Sequence, residues 1–122
     1  MATITLDSDK FLSTVHGDGI VFVDFWASWC GPCRNFAPVF EAASEKNDDI
    51  VFAKVDTEDQ RELATQLQIM SIPTLMAFRD GVLLYREAGA MSGPQFDELI
   101  KAVRDVDMED VKRQVAEAEK DA

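Results

Sequence analysis

The stretch IVFVDFWA, residues 20–27, constrains the fold more than any other part of this chain. It is β-branched or aromatic at almost every position, so neither face of it suits water. A strand of that kind lies inside a sheet covered on both sides. The segments around it alternate in period. TITL (3–6) reads as a short strand, and DSDKFLSTVHG as a helix. That helix has Asp7 or Ser8 as its cap, apolar Phe11, Leu12 and Val15 at helical spacing, and Gly17 as its stop. A longer helix is expected from Gly31 to Lys46, burying Phe36, Val39, Phe40 and Ala43, with Pro38 removing one ladder hydrogen bond inside it.

IVFAKV (50–55) is a third strand, and TEDQRELATQLQI an amphipathic helix with acids in its first turn. TLMAF and VLLYRE flank Asp80-Gly81, a strong hairpin signal. Ser92 stands three residues before Gln95, the spacing of a capping box that opens the helix SGPQFDELIKAV. The order β-α-β-α-β-α-β-β-α implies an α/β protein of parallel strands joined by crossover helices, with a hairpin adding an antiparallel edge. Residues 1–106 make one domain on this reading, and 107–122 an acidic C-terminal extension that is either helical or frayed.

Charge narrows the function. Twelve basic residues against 23 acidic ones leave a net charge of −11, which opposes binding to nucleic acid or to anionic membranes. No window approaches the ~18 apolar residues of a membrane span. The start, MATITLDSDK, has neither the basic end nor the apolar stretch of a secretory signal, so a cytosolic chain is expected. Paired cysteines in that compartment are more often catalytic than structural.

Both cysteines lie in FWASWCGPCRNF, residues 25–36. Two thiols separated by Gly31 and Pro32 suit a disulfide, half of a metal site or a reaction centre. A structural zinc site needs four ligands, and beyond Cys30 and Cys33 the chain offers one histidine, His16. The redox reading has more support. The pair follows a strand and opens a helix, where unpaired N–H groups and the positive end of the helix dipole stabilise a thiolate. Cys33 lies nearly one turn after Cys30, Gly31 permits the tight backbone, and Pro32 sits where its missing N–H costs least. Asp24 interrupts an apolar run, so it is expected to be buried, with a raised pKa unless it is paired.

VDFWASWCGPC, followed by SIPT and then EAGA, resembles the thioredoxin family over roughly residues 3–105. The resemblance implies a thioredoxin fold, a central mixed sheet of about five strands flanked by helices on both faces, here with a C-terminal helical extension. It also implies a thiol–disulfide oxidoreductase that reduces protein disulfides and holds no cofactor of its own. Cys30 would attack a substrate disulfide and Cys33 would resolve the mixed disulfide. Asp24 would exchange a proton with Cys33, with Lys54 as its partner. Pro73 would be the family's cis-proline, exposing the Ile72 backbone to an extended substrate. Trp29, Gly31, Pro32, Ile72, Pro73, Gly89, Ala90 and Met91 would form a docking face, with Trp26 packed beneath the motif.

The family also implies a flavin-containing thioredoxin reductase, drawing on NADPH, as the partner that recharges a monomeric carrier. Pro32 supplies no donor to the thiolate, which favours a reductase over an oxidase or isomerase. A docking subunit built on the same fold is the other alternative. Met70 and Ser71 stand where the family often has a basic residue and a glycine, and Arg34 where it often has lysine.

Overall fold

The computed structural model describes residues 2–121. Ten elements follow one another: β1 (Thr3–Thr5), α1 (Ser8–Val15), β2 (Ile20–Trp26), α2 (Gly31–Lys46), β3 (Val51–Asp56), α3 (Arg61–Gln66), β4 (Thr74–Arg79), β5 (Val82–Ala88), α4 (Gly93–Asp105) and α5 (Met108–Asp121). The sheet order is β1-β3-β2-β4-β5. β3 runs parallel to β1 and β2, whereas β4 is antiparallel to β2 and β5 antiparallel to β4. β2 is therefore central and covered on both faces, as its composition requires.

Alternation along β2 divides the core. Phe22 faces α2 and α4, where it meets Phe36, Phe40, Phe52 and Phe96. Phe96 lies edge-on to Phe22 with ring centroids 5.3 Å apart and is stacked on Phe40 at 5.8 Å. Edge-to-face and stacked pairs of this kind add to what burial alone contributes. Val21, Val23 and Phe25 face the other way, against Phe11 and Val15 of α1, Leu63 of α3, and Met76 and Phe78.

The local signals act through identifiable bonds. Asp7 caps α1, its carboxylate accepting from the Lys10 N–H at 2.9 Å. Asp80 and Gly81 both take positive φ, +52° and +81°, as a two-residue hairpin turn demands. The Ser92 hydroxyl accepts from the Gln95 N–H while the Gln95 side chain accepts from the Ser92 N–H. Ser92→Ala is expected to cost about 1 kcal/mol, read as a lower urea midpoint at unchanged slope.

Two features differ from expectation, β4 running antiparallel to β2 where the crossover order placed it among the parallel strands, and α3 starting late, whereas the C-terminal extension takes its helical alternative. α3 begins at Arg61, not at Thr57, because Asp56 accepts from the Glu58 N–H at 2.9 Å and the Thr57 N–H goes back to the Trp26 carbonyl at 2.9 Å. Those bonds, with the Gln60 N–H donating to the Asp56 carbonyl, hold residues 57–60 in turns ahead of the helix. The C-terminal segment is a helix of its own. Val106 is extended and separates it from α4, and Asp107 accepts from the Glu109 and Asp110 N–H groups at its start. Met108 is buried, whereas Val115 and Ala118 face solvent. Arg79 fixes the junction by donating to the Val103, Arg104 and Val106 carbonyls.

Topology collects the function-bearing loops at one end of the sheet. β2 and β3 run parallel, so both finish there, and the loops 27–30 and 57–60 follow them. β4 is antiparallel to β2, so its start at Thr74 and the preceding Ile72-Pro73 reach the same end. β5 ends opposite Thr74, bringing Gly89 there as well. Loops beyond the carboxyl ends of parallel strands are the usual place for chemistry in open α/β sheets.

Candidate active site

Cys30 is the residue that caps α2, and it does so with sulfur. Its Sγ accepts from the Cys33 N–H at 3.2 Å, while the Arg34 N–H donates to the Cys30 carbonyl. Gly31 and Pro32 fill the first helical positions, where a proline loses no intrahelical bond. The two cysteines form a disulfide with Cα atoms 5.2 Å apart, inside the usual range for such a bond. Exposure does not distinguish them, at 4% for Cys30 and 3% for Cys33. The difference is electrostatic: only Cys30 receives the helix N–H, and a thiolate there would also face the positive end of the dipole.

The surroundings come from four loops. Trp26 and Ile72 pack against Ala27, Cys30 and Cys33. The Ile72–Pro73 bond is cis, and the Ile72 carbonyl oxygen is 3.6 Å from Cys30 Sγ. The Gly89 N–H donates to the Pro73 carbonyl at 2.8 Å, which sets Gly89 beside the cis-proline. Gly89 has φ of +114°, and a Cβ added to it would touch nothing within 4 Å. Conformation rather than space thus requires glycine there. Ala90 is exposed, whereas Met91 is half-buried against the aromatic cluster and offers only part of its side chain to a partner. Trp29 projects from the loop, and its indole N–H donates to Glu58 at 3.0 Å.

Asp24 is buried to 1% exposure, and neither of its carboxylate oxygens has a hydrogen-bond partner among the described residues. It occupies the same face of β2 as Phe22 and pairs in register with Lys54 on β3. Burial pushes its pKa up to about 7, with the Lys54 charge pulling the other way. Lys54 also lies over the Trp26 ring, 5.0 Å from its centroid. A buried acid poised near neutrality can take up or release a proton at working pH.

Among the described residues, no three histidine, cysteine, aspartate or glutamate side chains gather as metal ligands. No helix there is long and apolar enough to cross a membrane. Sequence reasoning missed Glu58, although an acid just after the end of a strand that adjoins β2 was a usable signal.

The thioredoxin family model matches residues 2–115. The chain belongs to the thioredoxin family. A relative in Streptomyces coelicolor that carries a thioredoxin 2 designation is 45% identical over 121 residues, covering 99% of this chain and 90% of that one. The thioredoxin of Mycolicibacterium smegmatis is 44% identical over 93 residues, 73% of this chain and 83% of its own. Among solved structures, Malassezia sympodialis thioredoxin superposes with a TM-score of 0.74 at 32% identity, covering 84% of this chain and 93% of that one. Like other thioredoxins, this one is a thiol–disulfide oxidoreductase whose redox-active pair is Cys30 and Cys33, and its function is reduction of protein disulfides.

Proposed function

We propose that Cys30 is the attacking thiol, Cys33 the resolving thiol and Asp24 the group that takes the Cys33 proton. The observation that carries this is the Cys33 N–H bonded to Cys30 Sγ, with the Ile72 carbonyl beside the same sulfur. The reduced Cys30 thiolate attacks one sulfur of a client disulfide. A Cys30–client bond forms, and the client's other sulfur leaves as a thiolate. Asp24 accepts the proton of Cys33, whose thiolate then attacks the Cys30 sulfur and expels the second client sulfur. Two electrons pass to the client, and the Cys30–Cys33 disulfide remains.

An extended client pairs with the backbone at Ile72, between Trp29 on one side and Gly89 and Ala90 on the other, with Gly31, Pro32 and Met91 at the margin. Lys54 tunes Asp24, and Trp26 supports the loop from below. A flavin-containing reductase drawing on NADPH, of the thioredoxin reductase type, returns the pair to the dithiol; the carrier itself needs no cofactor. Pro32 gives the thiolate no additional donor, which favours the reducing direction. A reducing cytoplasm suits that chemistry. The protein works as a monomer, with residues 1–106 as the exchange domain and 107–122 as an appendage to it.

The test is catalytic. A trace of the protein should accelerate reduction of a protein disulfide by a small dithiol about tenfold or more. A rate equal to that of the dithiol alone would overturn the reading.

A further inference from the structure

The large apolar side chains that face solvent are scattered over the molecule, with one exception. Ile4 lies on β1, Leu12 on α1, Val51 on β3, Leu83 on β5 and Val115 on α5. The two most exposed among the described residues, Met70 at 90% and Trp29 at 66%, line a single groove that Ile72 joins to the disulfide. Thr57, Ile69, Ser71 and Ile72 complete its lining, and its volume is about 190 Å³. Small-molecule sites usually enclose about 300–1,000 Å³, so this groove suits a single large side chain better than a cofactor-sized ligand.

We propose that Met70 selects clients, favouring disulfides whose cysteine is flanked by a large apolar side chain that enters the groove between Met70 and Trp29. The proposal rests on Cys30 being the attacking thiol. Ile72 connects the two features: it lines the groove, and its carbonyl is 3.6 Å from Cys30 Sγ. A client strand that presents its sulfur to Cys30 therefore runs along the groove, and a neighbouring side chain drops into it.

The lining decides which side chain fits. No charged residue lines this groove, so a charged occupant would lose water without gaining a partner. A carboxylate fares worst, because Glu58 is already bonded to the Trp29 indole at the groove wall. Arg61 offsets that charge only weakly, from an exposed ion pair at 3.5 Å. Methionine is well matched to such a wall. Unbranched and polarizable, it adapts to differently shaped apolar partners and makes favourable contacts with aromatic rings.

Beyond Met70 the surface changes character. The groove on its other side is lined by Gln68, Thr74, Arg86, Glu87 and Ala88, with Met70 and Ser71 as the shared wall. Arg86 there already donates to the Gln68 carbonyl at 2.7 Å. Water competes well for that polar side, so the selective contact is on the Trp29 side. Met70, with Ser71 beside it, is the boundary between the two.

Three disulfide peptides that differ only in the residue beside the cysteine, Phe, Ser or Glu, test this with the full-length protein in single-turnover reduction. The wild type should prefer the Phe peptide to the Glu peptide by about tenfold or more, the scale on which an apolar pocket discriminates. Met70→Ser should lower that ratio several-fold by raising the half-saturating concentration of the Phe peptide, with the rate at saturation less affected. Met70→Leu should restore the preference. Leu12→Ser, an exposed apolar residue outside both grooves, should leave the ratio as it was. An unchanged ratio in Met70→Ser, or equal slowing of all three peptides, would overturn the role of Met70 while leaving the reductase reading intact. Failure of the wild type to reduce any peptide would overturn the reductase reading and the role of Met70 with it.

Discussion

Cys30→Ser is expected to abolish disulfide reduction, a loss on the order of a thousandfold or more, because a serine hydroxyl is not ionised near neutral pH and cannot replace the attacking thiolate. Cys33→Ser should behave differently. The first step survives, since the helix N-terminus that supports Cys30 is backbone and remains. The second step has no thiol to perform it, so the client stays bound to Cys30 through sulfur. Turnover should collapse in both variants, but only Cys33→Ser should yield a covalent adduct of protein plus client mass that a strong reductant releases. Mass spectrometry before and after reduction reads this directly. Turnover retained in Cys30→Ser, or an adduct formed only by that variant, would overturn the assignment of roles.

The local elements on which that assignment rests were legible in the sequence to an unusual degree. A central strand, two cysteines around Gly-Pro, and a helix starting on the second residue of the motif follow from local preferences alone, and the structure keeps all three. The hairpin at Asp80-Gly81 and the box at Ser92 were legible for the same reason: each is built from neighbours in sequence. The start of α3 was not. Its turn depends on the Thr57 N–H reaching the Trp26 carbonyl on another strand, and no window of local sequence contains that bond.

The site shows the same division. Cys30 and Cys33 carry their chemistry in a local motif. Asp24 could be read as buried because its whole strand is apolar. The approach of Ile72 to Cys30, and of Gly89 to Pro73, comes only from the antiparallel placement of β4 and β5 at one end of the sheet. The groove between Trp29 and Met70 was less visible still. Exposure is a property of the folded surface, and a methionine in sequence reads as readily as core.

Asp24→Asn should make the folded protein more stable at pH 8 and much less so at pH 4.5. The sign follows from burial. With its pKa pushed up from 3.8 to about 7, Asp24 is protonated in the folded protein through a range where it is ionised in the unfolded chain. The folded state then binds the extra proton, so this residue costs stability progressively as pH rises from about 4 to about 7, and the cost is constant above. Three pH units correspond to at most about 4 kcal/mol, an upper bound because water entry and local relaxation ease the burden. The asparagine amide is itself buried and costs something at every pH, so the informative quantity is the mutant-minus-wild-type difference at the two pH values. Urea titrations of the oxidised protein, in which Cys30 and Cys33 do not titrate, supply it. The difference should grow by a few kcal/mol between pH 4.5 and pH 8. A difference independent of pH would show that Asp24 titrates alike in the folded and unfolded chain. The same substitution should slow client release by about a hundredfold and flatten the rise in rate through pH 7, since the Cys33 proton then has no carboxylate to take it. More stability with less turnover, in one variant and over one pH range, is the signature of a carboxylate kept buried for its chemistry at the expense of the fold.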